Sequence, residues 1–117
     1  MAAHNVLGEK GEDLATEFVV KKGYFINHRN WKCGKAEVDI IATHQNEIIF
    51  IEVKTRATNA FGEPEEAVSE KKQELLRTAA ENYVIENNVL EEVRFDVISI
   101  ILNPKETIIN HIETAFY

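Results

Sequence analysis

The sequence predicts an α/β fold built from two helices and five strands. Three observations favour this fold: apolar residues recur at helical spacing in two segments, five other segments have the alternating or continuous apolar character of strands, and the connections are short. The elements follow in the order helix, three strands, helix, two strands. A chain of 117 residues is long enough to form one hydrophobic core. We therefore expect a single domain over residues 1–117.

The first half of the chain contains one predicted helix and three predicted strands. The helix covers residues 6–22 and is followed by Gly23, a residue that commonly ends helices. A strand, YFINHRNW, comes next and leads into the polar loop KCGK. The next two strands are AEVDIIATH and EIIFIEVKTR. The apolar or small residues on one face of the helix are Leu7, Gly11, Leu14, Ala15, Phe18 and Val19.

The second half contains the other helix and two more strands. The segment ATNAFGEPEEAVS has the Gly, Pro and Asn of a loop, and Ser69 is the predicted N-cap of a helix over about residues 70–86. Strands VRFDVISIIL and TIINHIETAFY follow, joined by NPKE. The apolar stripe of the second helix comprises Leu75, Leu76, Ala79, Ala80, Tyr83 and Val84.

The charge distribution is uneven. A net charge of −7 argues against a protein that coats nucleic acid over its whole surface. Between Glu17 and Glu37, however, there is no acidic residue. Basic residues alternate there with Tyr24, Phe25 and Trp31, a patch that can bind phosphates or can simply be a solvated face. Its basic residues are Lys21, Lys22, Arg29, Lys32 and Lys35.

Nothing in the sequence predicts a membrane protein. The longest apolar run, IIFI, is far shorter than the ~20 residues of a membrane helix. The N-terminus lacks the basic segment and apolar stretch of a secretory signal. We therefore expect a cytoplasmic protein.

The two strands around HQNE form a predicted hairpin that carries charge. A two-residue loop at Gln45-Asn46 makes these strands antiparallel. The resulting register places Asp39 opposite Glu52 and Glu37 opposite Lys54, with all four side chains on one face. The residues predicted for the other face are Val38, Ile40, Ile51 and Val53.

Two opposed carboxylates require a positive partner. Directly opposed strand residues have Cβ atoms about 4.5–5.5 Å apart, so Asp39 and Glu52 would repel each other unless a cation lies between them. Mg²⁺ suits this position because it is often held by one or two protein carboxylates and keeps room for water and a substrate phosphate. Lys54 would lie nearby, where it could orient a water molecule, help to deprotonate it or stabilise a phosphate in the transition state.

The same charges allow a simpler interpretation. Glu37 and Lys54 could form an ion pair on a solvated face while the other acids face water. Against it stands the run IIFIEV, apolar except at Glu52, which is typical of a strand covered on both faces. An unpaired charge there costs several kcal/mol. The Glu-x-Lys spacing alone carries little weight, because it recurs at Glu70-Lys71-Lys72, where exposed helix charges are expected.

The chain resembles the PD-(D/E)XK nuclease superfamily in three features. These are an acidic residue on the first helix, an aspartate on a strand and Glu-x-Lys on the next strand. More narrowly, the chain resembles the YraN-like family of small bacterial proteins, relatives of archaeal Holliday-junction resolvases. The resemblance spans nearly the whole chain, through GEKGEDLA, NHRNW, AEVDIIA, IFIEVKTR, FG and AVSEKKQELL. It implies a restriction-endonuclease-like fold, with a central mixed β-sheet of about five strands flanked by helices.

The resemblance also implies a metal site. Asp39 and Glu52 would bind Mg²⁺ or Mn²⁺ together with the Val53 carbonyl, and Lys54 would assist the attacking water. Glu12 matches the helix glutamate that can complete such a site. Acidic residues near a helix N-terminus are also favoured by the helix dipole alone.

Four further positions follow from the comparison with the family pattern. Gln73 falls where relatives carry a polar residue near the catalytic face, and Glu37 matches the acid of the Gly-Glu-Ile/Val-Asp motif. Val38 stands in place of the proline in the superfamily's name, as in many members. Ala36 replaces the usual glycine, which would affect DNA docking if that glycine lets the backbone approach closely.

The resulting hypothesis is a metal-dependent endonuclease that hydrolyses phosphodiesters of branched or structured DNA. A homodimer is possible by analogy with resolvases, through VISIIL or the C-terminal strand. One alternative is a catalytically silent DNA-binding or partner-recruiting module with the same fold, and another is a structural interaction protein whose hairpin charges face water. The predicted DNA contacts are Lys21, Lys22, Arg29, Lys32, Lys35, Arg56, Lys71, Lys72 and Gln73.

Overall fold

The computed structural model describes residues 6–58 and 68–117 and has a five-stranded mixed sheet with one helix on each face. The predicted α/β fold and its element order are confirmed, and no predicted end is displaced by more than two residues. The predicted loop segment 59–67, which includes the FG pair of the resemblance, lies outside the described residues. The elements are α1 (Val6–Lys21), β1 (Phe25–Cys33), β2 (Ala36–His44), β3 (Glu47–Arg56), α2 (Glu70–Glu86), β4 (Glu92–Asn103) and β5 (Glu106–Phe116).

The strands lie in the order β1-β2-β3-β4-β5. β3 and β4 are parallel, with α2 in the crossover between them, and the other neighbours are antiparallel. The segment VISIIL therefore lies in an interior strand whose two edges are paired, whereas the C-terminal strand β5 is an edge. None of the helices in the described part of the chain is long and apolar enough to cross a membrane.

The β2–β3 hairpin turns at Gln45-Asn46, as predicted. Both residues have positive φ, 46° and 66°, which fits the two-residue turns that match the twist of a hairpin. His44 pairs with Glu47, and the ladder continues in the predicted register.

The ladder ends at Ile40 and Ile51, one residue before the two acids of interest. The predicted pairing of Asp39 with Glu52 is therefore not part of the ladder, although the two acids follow directly after its last pair. Beyond this point β2 also changes the face it presents. Val38 is buried under α2, whereas Ile40 is buried under α1. The prediction that these two residues share a face is wrong, because strict alternation holds only while the strand stays regular.

β3 is covered on both faces, as the run IIFIEV predicts. Ile48 and Phe50 pack in the cluster under α2, whereas Ile49 and Ile51 pack in the cluster under α1. All four side chains are buried. β3 is therefore a central strand, and the side chain of Glu52, which follows these residues, is also buried.

Asp96 is a second buried acid, on β4, and its carboxylate is fully hydrogen-bonded. It accepts from Nε and Nη2 of Arg94, at 2.9 and 2.8 Å, from Nε2 of His111 at 2.7 Å and from the Thr114 N–H at 3.0 Å. Burial raises the pKa of Asp96, but the hydrogen bonds from His111, Arg94 and Thr114 outweigh it and hold the pKa below its usual value. This network joins β4 to β5, and Arg94 extends it to the Tyr24 hydroxyl.

α1 approaches β3 closely at Gly11. A Cβ atom at this position would lie 1.8 Å from Oγ1 and 2.8 Å from Cβ of Thr55. Only a residue without a side chain therefore allows the helix to pack at this distance.

Replacing Gly11 by Ala is expected to destabilise the fold by about 1–3 kcal/mol, because helix and strand must move apart. Urea denaturation of Gly11→Ala and wild type measures the difference. Glu17→Ala, an exposed change on the same helix, should stay within about 0.5 kcal/mol of wild type. The cost of Gly11→Ala should be smaller in a Thr55→Ala background, and equal costs in both backgrounds would contradict the proposed contact.

Candidate metal centre

Glu52 is a buried carboxylate near the end of β3, with 5% of its surface exposed. Its Oε1 atom accepts no hydrogen bond from any residue that the structure describes. Its Oε2 atom lies 3.6 Å from Nζ of Lys54 and 3.6 Å from Nζ of Lys72. The alternative in which Glu52 faces water is therefore contradicted, and one of its oxygens is left without a partner at a cost in free energy.

Asp39 lies beside Glu52 in the gap where the β2–β3 ladder has ended. Its Oδ2 atom accepts a hydrogen bond of 2.7 Å from the Val53 N–H. Burial, and then the neighbouring negative charge of Glu52, raise the pKa of Asp39 to about 8. The two carboxylates thus repel each other when both are ionised, in a site where Glu52 is buried and Asp39 is half-buried.

The Val53 backbone points into the same gap. The N–H and C=O of one residue in an extended strand point to the same side. Because the Val53 N–H binds Asp39, the Val53 carbonyl is also directed to the side of β2, where no strand residue pairs with it. A carbonyl oxygen and two carboxylates are therefore grouped at the end of the hairpin.

Two ammonium groups, from different elements, reach the Glu52 carboxylate. Lys54 follows on β3, whereas Lys72 comes from the first turn of α2. Ser69 is the N-cap of this helix, as predicted, and its Oγ accepts from the Lys72 N–H at 3.1 Å. Lys72 was expected to be an exposed helix charge. Its position four residues before the buried Leu76 was the available signal, since this spacing returns to the same helix face.

Glu12 is near the site but is held by other partners. Its carboxylate is 3.7 Å from Arg29, which also lies 3.0 Å from Asp13. Burial raises the pKa of Glu12, and its charge contributes to the raised pKa of Asp39. Within residues 6–58 and 68–117, no group of three or more His, Cys, Asp or Glu side chains is arranged to hold a metal ion. Glu12 is therefore not brought into a ligand set with the other two acids.

Glu37 and Ala36 are on β2, next to the β1–β2 turn. Glu37 is half-buried and in register with Lys32 of β1, and it forms no ion pair with Lys54. Ala36 is buried in the cluster under α2, so its methyl group packs into the core.

The predicted basic patch is divided between the two ends of the sheet. Lys21 is the last residue of α1 and Lys22 follows it, near Tyr24. The ring of Tyr24 stacks on His44 beside the hairpin turn. Nζ of Lys22 lies 2.9 Å from Nδ1 of His111. These two lysines therefore lie at the end of the sheet opposite to Lys54.

The remaining cations are nearer to the carboxylates. Because β2 and β3 are antiparallel, the β1–β2 turn with Lys32 and Lys35 lies at the end of the sheet where β3 ends with Arg56. Lys71 is exposed beside Lys72 on α2. Arg29, by contrast, is paired with the acids of α1.

Gln73 is engaged in the start of α2. Its Nε2 donates to the Val68 carbonyl at 3.0 Å, and its Oε1 accepts from Arg77 at 3.1 Å. These bonds fix the entry into the helix and, with it, the position of Lys72.

The arrangement fits a hard divalent cation. Mg²⁺ and Mn²⁺ take oxygen ligands, and Mg²⁺ commonly uses one or two carboxylates and keeps several waters. Asp39 and Glu52 supply carboxylates, Val53 supplies a carbonyl, and Oε1 of Glu52 is a buried acceptor without a donor. The repulsion that raises the pKa of Asp39 would be relieved by a positive charge between the two acids.

Comparison with known proteins shows close similarity along the full chain. The model of the uncharacterised protein family UPF0102 matches residues 11–100. A UPF0102 protein of Flavobacterium psychrophilum is 49% identical over 117 residues, which cover 100% of this chain and 98% of the relative. A UPF0102 protein of Phocaeicola vulgatus is 46% identical, over 100% of this chain and 97% of the relative. A UPF0102 protein of Alkaliphilus oremlandii is 43% identical, over 94% of this chain and 97% of the relative.

Asp39→Asn is expected to stabilise the metal-free protein by about 1–3 kcal/mol at pH 8. The folded-state pKa of Asp39 is about 8, above the unfolded value of about 3.9. The folded state therefore binds this proton more tightly, and stability falls as the pH rises between these values. Asparagine carries no charge and can still accept from the Val53 N–H.

Urea denaturation with a chelator, at several pH values, measures this effect. The gain in stability of Asp39→Asn should shrink as the pH falls. It should disappear below about pH 4, where Asp39 is protonated in both the folded and the unfolded state. Glu106→Asn, an exposed change on β5, should have no comparable effect. A wild type that is more stable than Asp39→Asn at pH 8 would contradict the raised pKa.

Proposed function

The chain belongs to the uncharacterised family UPF0102, which is the YraN-like family, and we propose that it is a metal-dependent endonuclease acting on branched or structured DNA. The fold, a mixed sheet flanked by two helices, matches the restriction-endonuclease-like arrangement implied by the resemblance. The preference for branched DNA rests on the likeness of this family to relatives of Holliday-junction resolvases.

One observation carries the proposal. Glu52 is buried beside Asp39, and its Oε1 atom accepts no hydrogen bond from the described residues. A purely structural acid would be expected to resemble Asp96, whose carboxylate is fully hydrogen-bonded. Buried acids with incomplete partners and raised pKa values are concentrated at functional sites.

Each residue has a distinct role in the proposed reaction. A divalent cation held by Asp39, Glu52 and the Val53 carbonyl would supply Lewis-acid stabilisation of the phosphate and lower the pKa of an attacking water. The Val53 N–H orients the Asp39 carboxylate. Lys54, 3.6 Å from Glu52, positions the water or stabilises the negative charge that develops on the phosphate.

Lys72, from α2, lies 3.6 Å from the same carboxylate oxygen as Lys54. A phosphate at this site would therefore meet an ammonium from α2 and another from β3, within a region of reduced water access where charge interactions are strengthened. Arg56, Lys32 and Lys35, at the same end of the sheet, extend this positive surface for the flanking DNA backbone.

Cleavage of a panel of labelled DNAs with Mg²⁺ or Mn²⁺ tests the proposal. The panel comprises a four-way junction, a flap, a nicked duplex, a single strand and a linear duplex of the same sequence. Wild type is expected to cut a branched member preferentially. Asp39→Asn, Glu52→Gln and Lys54→Ala should each lower the rate by about 10²–10⁴-fold, because each removes a ligand or a charge at the reacting phosphate.

Glu106→Gln, an exposed change on the edge strand, serves as the control and should cut at the wild-type rate. Unchanged cleavage by both Asp39→Asn and Lys54→Ala would contradict the mechanism. DNA binding that needs no divalent ion, with no cleavage of any member of the panel, would instead indicate the catalytically silent module.

Lys72→Ala is expected to tighten Mn²⁺ binding by about 2–10-fold, because a competing positive charge near Glu52 is lost. Calorimetric titration of the folded variant with Mn²⁺ measures the change. Lys71→Ala removes the neighbouring, exposed charge of the same helix and should bind Mn²⁺ as wild type does. Weaker binding by Lys72→Ala would show that this ammonium does not compete with the cation.

A further inference from the structure

A groove with an apolar lining lies between α2, the start of β4 and Tyr117. It has a volume of about 320 Å³. Arg77 and Glu81 lie at its rim. The apolar lining residues are Ala80, Val84, Ile85, Val93, Phe95 and Tyr117. We call it the acidic groove, for the charges described below.

Large apolar side chains are unusually exposed around this groove. Ile85 is 67% exposed, Val93 43% and Tyr117 86%, and the adjacent Leu90 is 95% exposed. These are four of the eight exposed large hydrophobic residues in the described ranges 6–58 and 68–117. Single exposed apolar residues are ordinary, but a contiguous group marks an interaction surface.

Exposed carboxylates lie at and near the apolar lining. Glu81 is at the rim, and Glu91 and Glu92 line a neighbouring cleft of about 530 Å³ together with Leu90. All three glutamates are exposed, and none forms an ion pair within the described part of the chain.

The two arginines near the groove already form ion pairs with other residues. Arg94 is only 10% exposed and pairs with Asp96 at 2.8 Å and Glu47 at 2.7 Å. Arg77 pairs with Glu74 at 2.6 Å and donates to the Tyr117 carbonyl. The rim of the acidic groove therefore presents negative charge that these arginines do not neutralise.

The charge restricts what can occupy the groove. DNA is disfavoured because its phosphates would be repelled by the rim. A second copy using the same face is also disfavoured, since a symmetric contact would set the acids of one copy against those of the other. A basic partner would gain complementary charge at the rim and apolar contact in the floor.

We propose that the acidic groove docks a basic, amphipathic segment of a partner protein. Apolar side chains of the segment, at helical spacing, pack against Ile85, Val93 and Tyr117, and its Lys and Arg residues face Glu81 and Glu92. This site is independent of the proposed nuclease activity. Its β4 residues are Val93 and Phe95, whereas Glu52 and Lys54 are in register with Val97 and Ser99, farther along that strand.

Display of a library of random 16-residue peptides against the full chain tests the docking site. Selected peptides should be rich in Lys and Arg, with apolar residues three and four positions apart. Ile85→Glu should weaken their binding at least about 10-fold and Glu81→Lys at least about 5-fold, and binding should weaken with salt. Ile85 is exposed, so the variant should fold, which its circular dichroism spectrum and its unfolding midpoint verify.

Matched controls are available elsewhere on the surface. Phe25→Glu changes an apolar residue that is 67% exposed on β1, and Glu17→Lys reverses an exposed charge on α1. Both should bind the peptides as wild type does. The proposal is overturned if no peptide is selected, if the peptides are not basic, or if both groove variants bind normally. A concentration-dependent dimer that Ile85→Glu abolishes would overturn it too, in favour of a second copy.

Discussion

The repulsion between Asp39 and Glu52 is the constraint around which this end of the molecule is organised. The β2–β3 ladder stops just before the two acids, so that the Asp39 carboxylate binds a backbone N–H of β3 in place of a regular strand pair. Burial and the Glu52 charge raise the pKa of Asp39 to about 8. Apolar side chains at both positions would cost less free energy. Such a strained pair is expected where function requires it.

The contrast with Asp96 makes the constraint clearer. The two aspartates belong to the same sheet, with Asp96 fully buried and Asp39 half-buried. Asp96 has four hydrogen-bond donors, and its pKa is lowered, whereas Asp39 has one backbone donor and an acidic neighbour. The first acid stabilises the packing of β4 and β5. The second is the acid that we propose binds a cation in place of its proton.

Local sequence signals predicted the elements well, because the chain is locally consistent with its fold. The Gln45-Asn46 turn fixed the hairpin register, and Ser69 marked the start of α2. The end of the ladder before Asp39 was not predictable, since the alternation of residues in β2 and β3 gives no local signal for it. The residues of the predicted basic patch are close in sequence but do not form one patch in the structure. β1 runs from one end of the sheet to the other, so it separates Lys21 and Lys22 from Lys32 and Lys35. The ion pair between Glu12 and Arg29 was likewise not predicted, because the two residues are far apart along the chain.

The carboxylate pair and the acidic groove thus differ in their surroundings and in their proposed roles, with Lys54 and Lys72 beside Glu52 and exposed glutamates near the groove. The central claim is that Asp39 and Glu52 share a cation, and anomalous scattering from crystals grown with Mn²⁺ tests it most directly. The account predicts a peak within about 2.3 Å of both carboxylates and of the Val53 carbonyl. Well-ordered Asp39 and Glu52 side chains with no peak between them would contradict it.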